Sequence, residues 1–279
     1  MKDINTDQYK YWNKKKVISW IKYDYEMNNK FSFITNYLFD ALKINKTKKI
    51  LDVGCGSGFT SNICSNKLGK KGLVVCADIS MPLLTLLKQK YKKVKNLKPV
   101  HTDIESYKFN ENYFDHVVSR FGIMFFDNPT VAFSNIYKSL KKDGEFTFVC
   151  WNDFNSNDFF FIPAKIVNKF LNVKIPIFDN SPGPFSLNNK KYLVNLLEKS
   201  NFRKIRIRNI KTYLKTSNVL TDANIMLNIG TGARMLAEAN VPVVKKKMIE
   251  KKLVFFLENN IFNKSLLYKA NFFLVKAFK

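Results

Sequence analysis

The sequence predicts an α/β fold: a doubly wound parallel sheet, with helices before it and a cap inserted after its fifth strand. Three observations carry that reading. From Lys48 onward, short apolar runs alternate with helix-compatible segments, the pattern of strands joined by crossover helices. The first run, Ile50–Val53 within KKILDVGCGSG, stops abruptly at three glycines spaced two apart, Gly54, Gly56 and Gly58. Two later runs finish on or just before carboxylates, Asp78 and Asp103.

In chain order, Thr6–Lys46 reads as helical. Trp12, Val17, Trp20 and Ile21 fall near helical spacing, and Phe31, Ile34, Leu38 and Leu42 repeat it. Strand Ile50–Val53 leads into a helix near Thr60–Leu68. A second strand, Gly72–Ala77, ends at Asp78, and the helix Met81–Lys92 carries Pro82 in its first turn. A third strand lies near Lys98–His101 and a fourth at Phe114–Ser119, before a helix Thr130–Leu140. Lys141–Gly144 (KKDG) reads as a turn and Glu145–Trp151 as the fifth strand. Beyond Trp151 the pattern loosens. A polar loop, Asn152–Asp158, precedes a helix Phe159–Leu171, and Pro176–Pro184 holds turn signals around SPGPF. A helix Lys190–Lys199 follows, then a strand Arg203–Tyr213 with one solvated face. Two or three short helices fill Thr221–Asn260, and Leu267–Phe278 closes the chain as a strand. No repeat, low-complexity tract or linker interrupts this order, so we expect one domain spanning residues 1–279. Its parts are N-terminal helices (1–46), a core (47–151), a cap (152–202 and 221–262) and the final strands (203–213 and 267–278).

Composition sets the outer bounds. A chain of 279 residues with 46% hydrophobic and 15% aromatic content can bury a full core. The net charge of +25 admits attraction to nucleic acid, anionic lipid or an acidic substrate. It also admits compositional drift. Only Arg120, Arg203, Arg206, Arg208 and Arg234 are arginines among 47 basic residues, in a chain crowded with Asn, Ile and Phe. Dedicated phosphate readers favour Arg as well as Lys. The cysteines, Cys55, Cys64, Cys76 and Cys150, show no C-x-x-C spacing, and so suggest buried thiols and no metal site. The polar N-terminus lacks the look of a signal peptide, and no apolar run reaches membrane-spanning length; a cytoplasmic protein is expected.

The glycine turn narrows the ligand. Strand, tight glycine turn and helix form the arrangement in which backbone approaches a nucleotide-like molecule. A dinucleotide fingerprint would require a small residue where Phe59 stands, and a P-loop would require Gly-Lys-Ser/Thr, which is absent. The motif therefore points away from NAD and ATP and toward a different adenosine-bearing cofactor. Asp78, at the end of VVCAD and twenty residues past Gly58, is placed to accept ribose hydroxyls. Asp103, just past the third strand, suits an adenine amino group. One acid at a strand end is commonly a helix N-cap. Two in succession after G-x-G-x-G are harder to dismiss.

With those residues in view, the chain resembles the class I S-adenosylmethionine-dependent methyltransferases. LDVGCGSG matches that family's first motif, and the likeness continues through VVCADIS, HTDIES, FDHVVSRFGIMFF and LKKDGEFTFVCWN, covering about Ile50–Trp151. Within the family it is most similar to the subgroup related to ubiquinone- and menaquinone-biosynthesis methyltransferases. The resemblance implies a Rossmann-like, doubly wound, seven-stranded sheet whose last strand is antiparallel, a place that Leu267–Phe278 fits. It implies S-adenosyl-L-methionine as cofactor. Gly54, Cys55 and Gly56 would lie against its methionine end, with Asp52 orienting the turn or the amino group. Asp78 would hold the ribose and Ile79 would pack on adenine. Asp103 and Ile104 would flank the adenine edge, and Ser119, Arg120 and Phe121 would face the sulfonium. Tyr11 and Trp12 would close over the cofactor, with core packing the competing reading for Trp12 and Trp20.

Methyl transfer from a sulfonium is an in-line displacement that demands alignment and exclusion of water, with a base only if the acceptor must lose a proton. His116 within the fourth strand and His101 at the end of the third read as structural. Glu105 and Asp127 do not stand out from ordinary loop acids, so no catalytic base is named. RFGIMFFDNP lacks the Asn-Pro-Pro-aromatic motif of amino-group methylation, and Cys150 lacks the context of a cytosine-C5 nucleophile. The cap's Phe159, Phe160, Phe161, Phe170, Phe178 and Phe185 suit an apolar or aromatic small-molecule acceptor, or else form the cap's own core. Two rivals stand beside that reading. One is an RNA methyltransferase, motivated by the charge and the basic strand RKIRIR; the other is a methyltransferase fold kept for binding alone. Lys245, Lys246, Lys247, Lys251 and Lys252, beside apolar residues in one helical stretch, raise transient contact with an anionic membrane surface, against the commoner reading of a solvated face.

Overall fold

The computed structural model describes residues 6–14, 16–69, 71–262 and 267–279. Four short helices open the chain: α1 (Thr6–Asn13), α2 (Val17–Lys22), α3 (Asp24–Lys30) and α4 (Ser32–Ala41). The alternating core follows as β1 (Lys49–Val53), α5 (Phe59–Lys67), β2 (Leu73–Asp78), α6 (Met81–Lys90), β3 (Leu97–His101), β4 (Phe114–Arg120), α7 (Pro129–Ser139) and β5 (Leu140–Trp151). After it come α8 (Asp158–Leu171), α9 (Lys190–Lys199), β6 (Arg203–Lys215), α10 (Val219–Asn228), α11 (Thr231–Glu238), α12 (Val243–Leu257) and β7 (Leu267–Phe278).

The seven strands form one sheet in the order β3-β2-β1-β4-β5-β7-β6. β1 through β5 run parallel, and β7 inserts antiparallel to both β5 and β6. β1, β2 and β4 are buried along almost their whole length, which explains why they read as unbroken apolar runs. β6 lies at the sheet edge, and only Ile210 and Leu214 on it are buried. From β1 the chain winds one way through β2 to β3 and, after returning to β4, the other way. Right-handed crossovers then put α5 and α6 on one face and α7 and α9 on the opposite one. The reversal between β1 and β4 opens a crevice at their carboxyl ends, where ligands of such sheets bind.

Two sequence expectations need adjustment. The KKDG stretch is not a turn before β5 but lies inside it. Asp143 adopts φ +60°, and the pairing with β4 shifts register between Phe114 and His116, so the extra residues are absorbed as a bulge. The stretch 152–202 does not all cap the crevice: α9 packs on α7 and β6, against the sheet, whereas α8, α10, α11 and α12 pack on one another. Among the described residues no helix is long and apolar enough to cross a membrane.

The N-terminal helices are fastened to the cap by a buried polar knot. Lys30 Nζ donates to Asp222 Oδ1 at 2.7 Å and to the Lys215 carbonyl at 2.9 Å, and the Tyr268 hydroxyl donates to Asp222 Oδ2 at 2.7 Å. Lys30 and Asp222 side chains are fully buried, so each charge depends on its partner. Burial pulls the Lys30 ammonium below its ordinary value, against the pull of Asp222. Through this knot α3 is held over the carboxyl end of the sheet.

Candidate functional site

β1 delivers the glycine turn to the crevice. Gly54 N and Cys55 N both donate to the Ala77 carbonyl, at 2.9 and 3.2 Å, which ties the turn to the end of β2. Gly54, Gly56 and Gly58 all have positive φ, a conformation that L side chains rarely adopt. Gly54 is needed for a second reason. A Cβ there would stand 2.6 Å from Gly122 Cα, because the turn crosses the backbone that leaves β4. Gly56 differs: a Cβ on it would meet no protein atom within 4 Å, so its open side faces the cavity.

Asp78 closes the turn. Its Oδ2 accepts from Gly56 N at 2.7 Å and its Oδ1 from Ser80 N at 2.8 Å. Burial raises its pKa, and these amides hold it back down. Asp103, half-buried past β3, accepts from Glu105 N at 3.0 Å. Ser80 caps α6 and donates to the Trp12 carbonyl at 2.7 Å, while Asn13 Nδ2 donates to the Ile79 carbonyl at 2.9 Å. α1 is thereby laid across the ends of β2 and α6.

These groups line one cavity of about 1000 Å³. Of the residues singled out in the sequence, Tyr11, Trp12, Gly54, Cys55, Gly56, Asp78, Ile79, Asp103, Ile104, Arg120 and Phe121 all line it. Asp52 and Ser119 do not. Asp52 is buried and accepts from Ser61 Oγ at 2.6 Å; it braces the first turn of α5 from behind the wall. Burial pushes it up to about 7. Ser119 donates to the Val53 carbonyl at 2.7 Å and accepts from Gly122 N at 3.2 Å, so it pins β4 to the glycine crossing rather than facing a ligand. Glu105 is also turned away, its two oxygens accepting from Asp127 N at 2.7 Å and Asn128 N at 2.8 Å. Neither histidine lines the cavity.

Arg120 is the cation of the inner wall. Its guanidinium donates to Thr35 Oγ1 at 2.9 Å and to Asn28 Oδ1, with the faces of Phe59 and Phe31 at 5.0 and 6.0 Å. Among the described residues no carboxylate lies within ion-pair distance of it, and burial lowers its pKa to about 10. Asn28 belongs to a set that sequence reasoning missed. Asp24, Met27, Asn28 and Phe31 follow helical spacing on and just past α3, and all line the cavity. Asp24 takes a hydrogen bond from Ser57 Oγ in the glycine turn and an ion pair from Lys90. The acid–amide pair four residues apart was the available signal.

The far end of the cavity is aromatic. Phe121, at φ +66°, stacks on Trp151 with ring centroids 4.1 Å apart and planes 10° from parallel. Phe31 meets both edge-on. Phe160, Phe178 and Pro184 of the cap continue this wall, and α11 supplies Thr231 and Arg234. Phe161, Phe170 and Phe185 do not line the cavity; of these, Phe185 is buried within the cap. The basic strand residues Arg203, Arg206 and Arg208 sit on β6, away from the cavity.

Residues 51–148 match the family model of a methyltransferase domain. The demethylmenaquinone methyltransferase of Staphylococcus epidermidis is 31% identical over 128 residues, which are 44% of this chain and 53% of that protein. The chain thus spans about half the length of the curated relatives it matches. A putative methyltransferase structure from Bacillus halodurans superposes with a TM-score of 0.53 at 19% identity, over 88% of this chain and 98% of that one. Phosphoethanolamine N-methyltransferase 2 of Haemonchus contortus, solved with S-adenosyl-L-methionine, gives 0.54 at 16% identity, over 88% of this chain and 52% of that one. The crevice between β1 and β4, the glycine turn and the sheet order agree with these likenesses: the chain shares the fold of these solved methyltransferases, and its residues 51–148 match a methyltransferase domain.

Proposed function

We propose that this chain is an S-adenosylmethionine-dependent methyltransferase whose acceptor is a small apolar or aromatic molecule of quinone type. One observation carries the reading: a single cavity runs from the glycine turn and Asp78 to the aromatic wall of Phe121, Trp151 and Phe160. Donor and acceptor would share that cavity. The open side of Gly56 supplies a cradle that a Cβ would fill, and the donor set at its rim suits adenosine. Asp78 and Asp103 would accept hydrogen bonds from ribose and adenine, and Ile79 would pack against the base. Arg120, a half-buried cation bonded among the described residues only to neutral side chains, suits the carboxylate of a methionine moiety. The cofactor would supply a methyl group already activated on positive sulfur. The protein's part is to align and to keep water out, which Tyr11, Trp12 and Trp20 do from the N-terminal side. Burial raises the Tyr11 pKa, so its hydroxyl stays protonated at neutral pH. Support for a quinone-type acceptor comes from the aromatic wall together with the activity named for the Staphylococcus relative.

Calorimetry with S-adenosylmethionine and S-adenosylhomocysteine tests the donor half, and mass spectrometry of a demethylated naphthoquinol incubated with enzyme and donor tests the acceptor half. Saturable binding and a product heavier by one methyl group are expected. Absence of donor binding would refute the enzymatic reading and leave a fold used for binding alone. Donor binding without product would refute the quinone class.

A further inference from the structure

The helix α12 carries its apolar residues on two opposite faces. Ile249, Leu253 and Leu257 recur every four residues and are buried against the fold. On the other side, Val244, Met248 and Phe255 recur at spacings of four and seven and stand 72%, 48% and 69% exposed. At 100° per residue these three fall within about 40° of one another. Lys251 shares their stripe, Lys245 and Lys252 flank it on one side, and Lys247 flanks it on the other. A solvated helix face would carry its lysines at the centre. Here the centre is apolar and the lysines border it, the cross-section of a helix that lies in a lipid interface.

The position of this face adds a second argument. Val241 and Lys246 line the cavity, and between them Val243 and Val244 project into solvent at 71% and 72% exposure. Ile177, 95% exposed, directly precedes Phe178 of the cavity wall. Two segments that bound the aromatic end of the cavity therefore present bare aliphatic side chains outward. The chain's net charge of +25 favours an anionic partner over a neutral one.

We infer that α12 is the docking face for an anionic lipid bilayer, with Val244, Met248 and Phe255 entering the interface and Lys245, Lys247, Lys251 and Lys252 meeting lipid headgroups. The acceptor is then drawn from the membrane plane into the cavity beside Val241 and Lys246. That last step rests on the proposed methyltransferase reading; the docking does not.

Flotation of the full chain with vesicles tests it, comparing phosphatidylcholine alone with an equal mixture of phosphatidylcholine and phosphatidylglycerol. The wild type should float with the anionic vesicles and not with the neutral ones. Val244→Glu with Phe255→Glu, both at exposed positions, should abolish flotation. Lys247→Ala, Lys251→Ala and Lys252→Ala together should weaken it roughly a hundredfold, at about fivefold per lysine near an anionic surface. Flotation that the two glutamates leave unchanged would show charge alone at work and overturn the inference. So would failure to float, preference for single-stranded RNA over the anionic vesicles, or a dimer in solution that Val244→Glu with Phe255→Glu dissolves. Calorimetric affinity for S-adenosylhomocysteine should be the same in all variants, so loss of the donor reading would show separately from loss of the docking face.

Discussion

Gly54→Ala and Gly56→Ala, two residues apart in one turn, should fail in opposite ways. Both have positive φ, so each alanine brings roughly 1–2 kcal/mol of backbone strain. At Gly54 the new methyl also meets Gly122 Cα at 2.6 Å, and neither backbone can retreat, because Gly54 N is bonded to Ala77 O and Ser119 pins Gly122 to Val53. Overpacking between fixed backbones adds about 1–3 kcal/mol or more. Gly54→Ala should therefore lower stability by several kcal/mol, a large share of what a domain possesses. At Gly56 the methyl meets no protein atom within 4 Å, so the loss should stop at the strain. What Gly56→Ala should lose is the ligand, whose approach to the turn the methyl obstructs. The same overpacking range corresponds to roughly 5- to 150-fold weaker binding. Urea unfolding of both variants and calorimetry with S-adenosylhomocysteine give the two readouts. Gly56→Ala that binds the cofactor product as the wild type does would refute the placement of the donor against this turn.

Further outcomes follow from the buried charges. Asp222→Ala should cost about 3–5 kcal/mol in urea unfolding, since it strands the Lys30 ammonium and the Tyr268 hydroxyl, while Lys30→Met with Asp222→Leu should regain most of that loss; equal stability of the two variants would contradict it. Asp52, raised to about 7 from an ordinary 3.8, holds a proton in the fold that the unfolded chain has released, so its contribution is full below pH 3.8 and is lost as pH rises through about 7. Asp52→Asn removes that dependence, and its stability relative to wild type should grow by up to roughly 4 kcal/mol between pH 4 and pH 8; parallel pH curves would sink the argument. Arg120→Met should weaken S-adenosylhomocysteine roughly 10- to 100-fold by calorimetry, the worth of a charge-assisted hydrogen bond, and leave methylthioadenosine, which lacks the carboxylate, nearly unaffected. Equal losses for both ligands would show that Arg120 only shapes the wall.

What the sequence made legible was local. The turn Gly54–Gly58 ends an apolar run, and Asp78 ends the next one, so strand, turn and acid can be read without knowing what lies across from them. Gly122 could not be read this way: nothing in RFGIMFF calls for a glycine, and the need for one arises only where Gly54 crosses it. Ser119 misleads for the same reason in reverse: it belongs to the fourth-strand motif, yet it points to Val53, behind the wall. Asp52 also lies behind the wall, where its bond to Ser61 suits the turn-orienting role and not contact with a ligand. The lysines of α12 were visible as a run, but their meaning depends on which face Ile249 and Leu253 bury. Asp24 and Asn28 lie more than twenty residues before the turn they serve. Ser57 of the turn is bonded to Asp24, Arg120 of β4 to Asn28, and Ser80 of α6 to the backbone of Trp12. The three strand ends that shape the candidate site are each completed by a residue of the N-terminal helices. The first two of those helices bury little: α1 buries no residue and α2 only Val17. Their docking therefore draws on the groups that also line the cavity, so a ligand that orders those groups should order the helices with them. Closure over a bound donor would then be a property of the binding site itself.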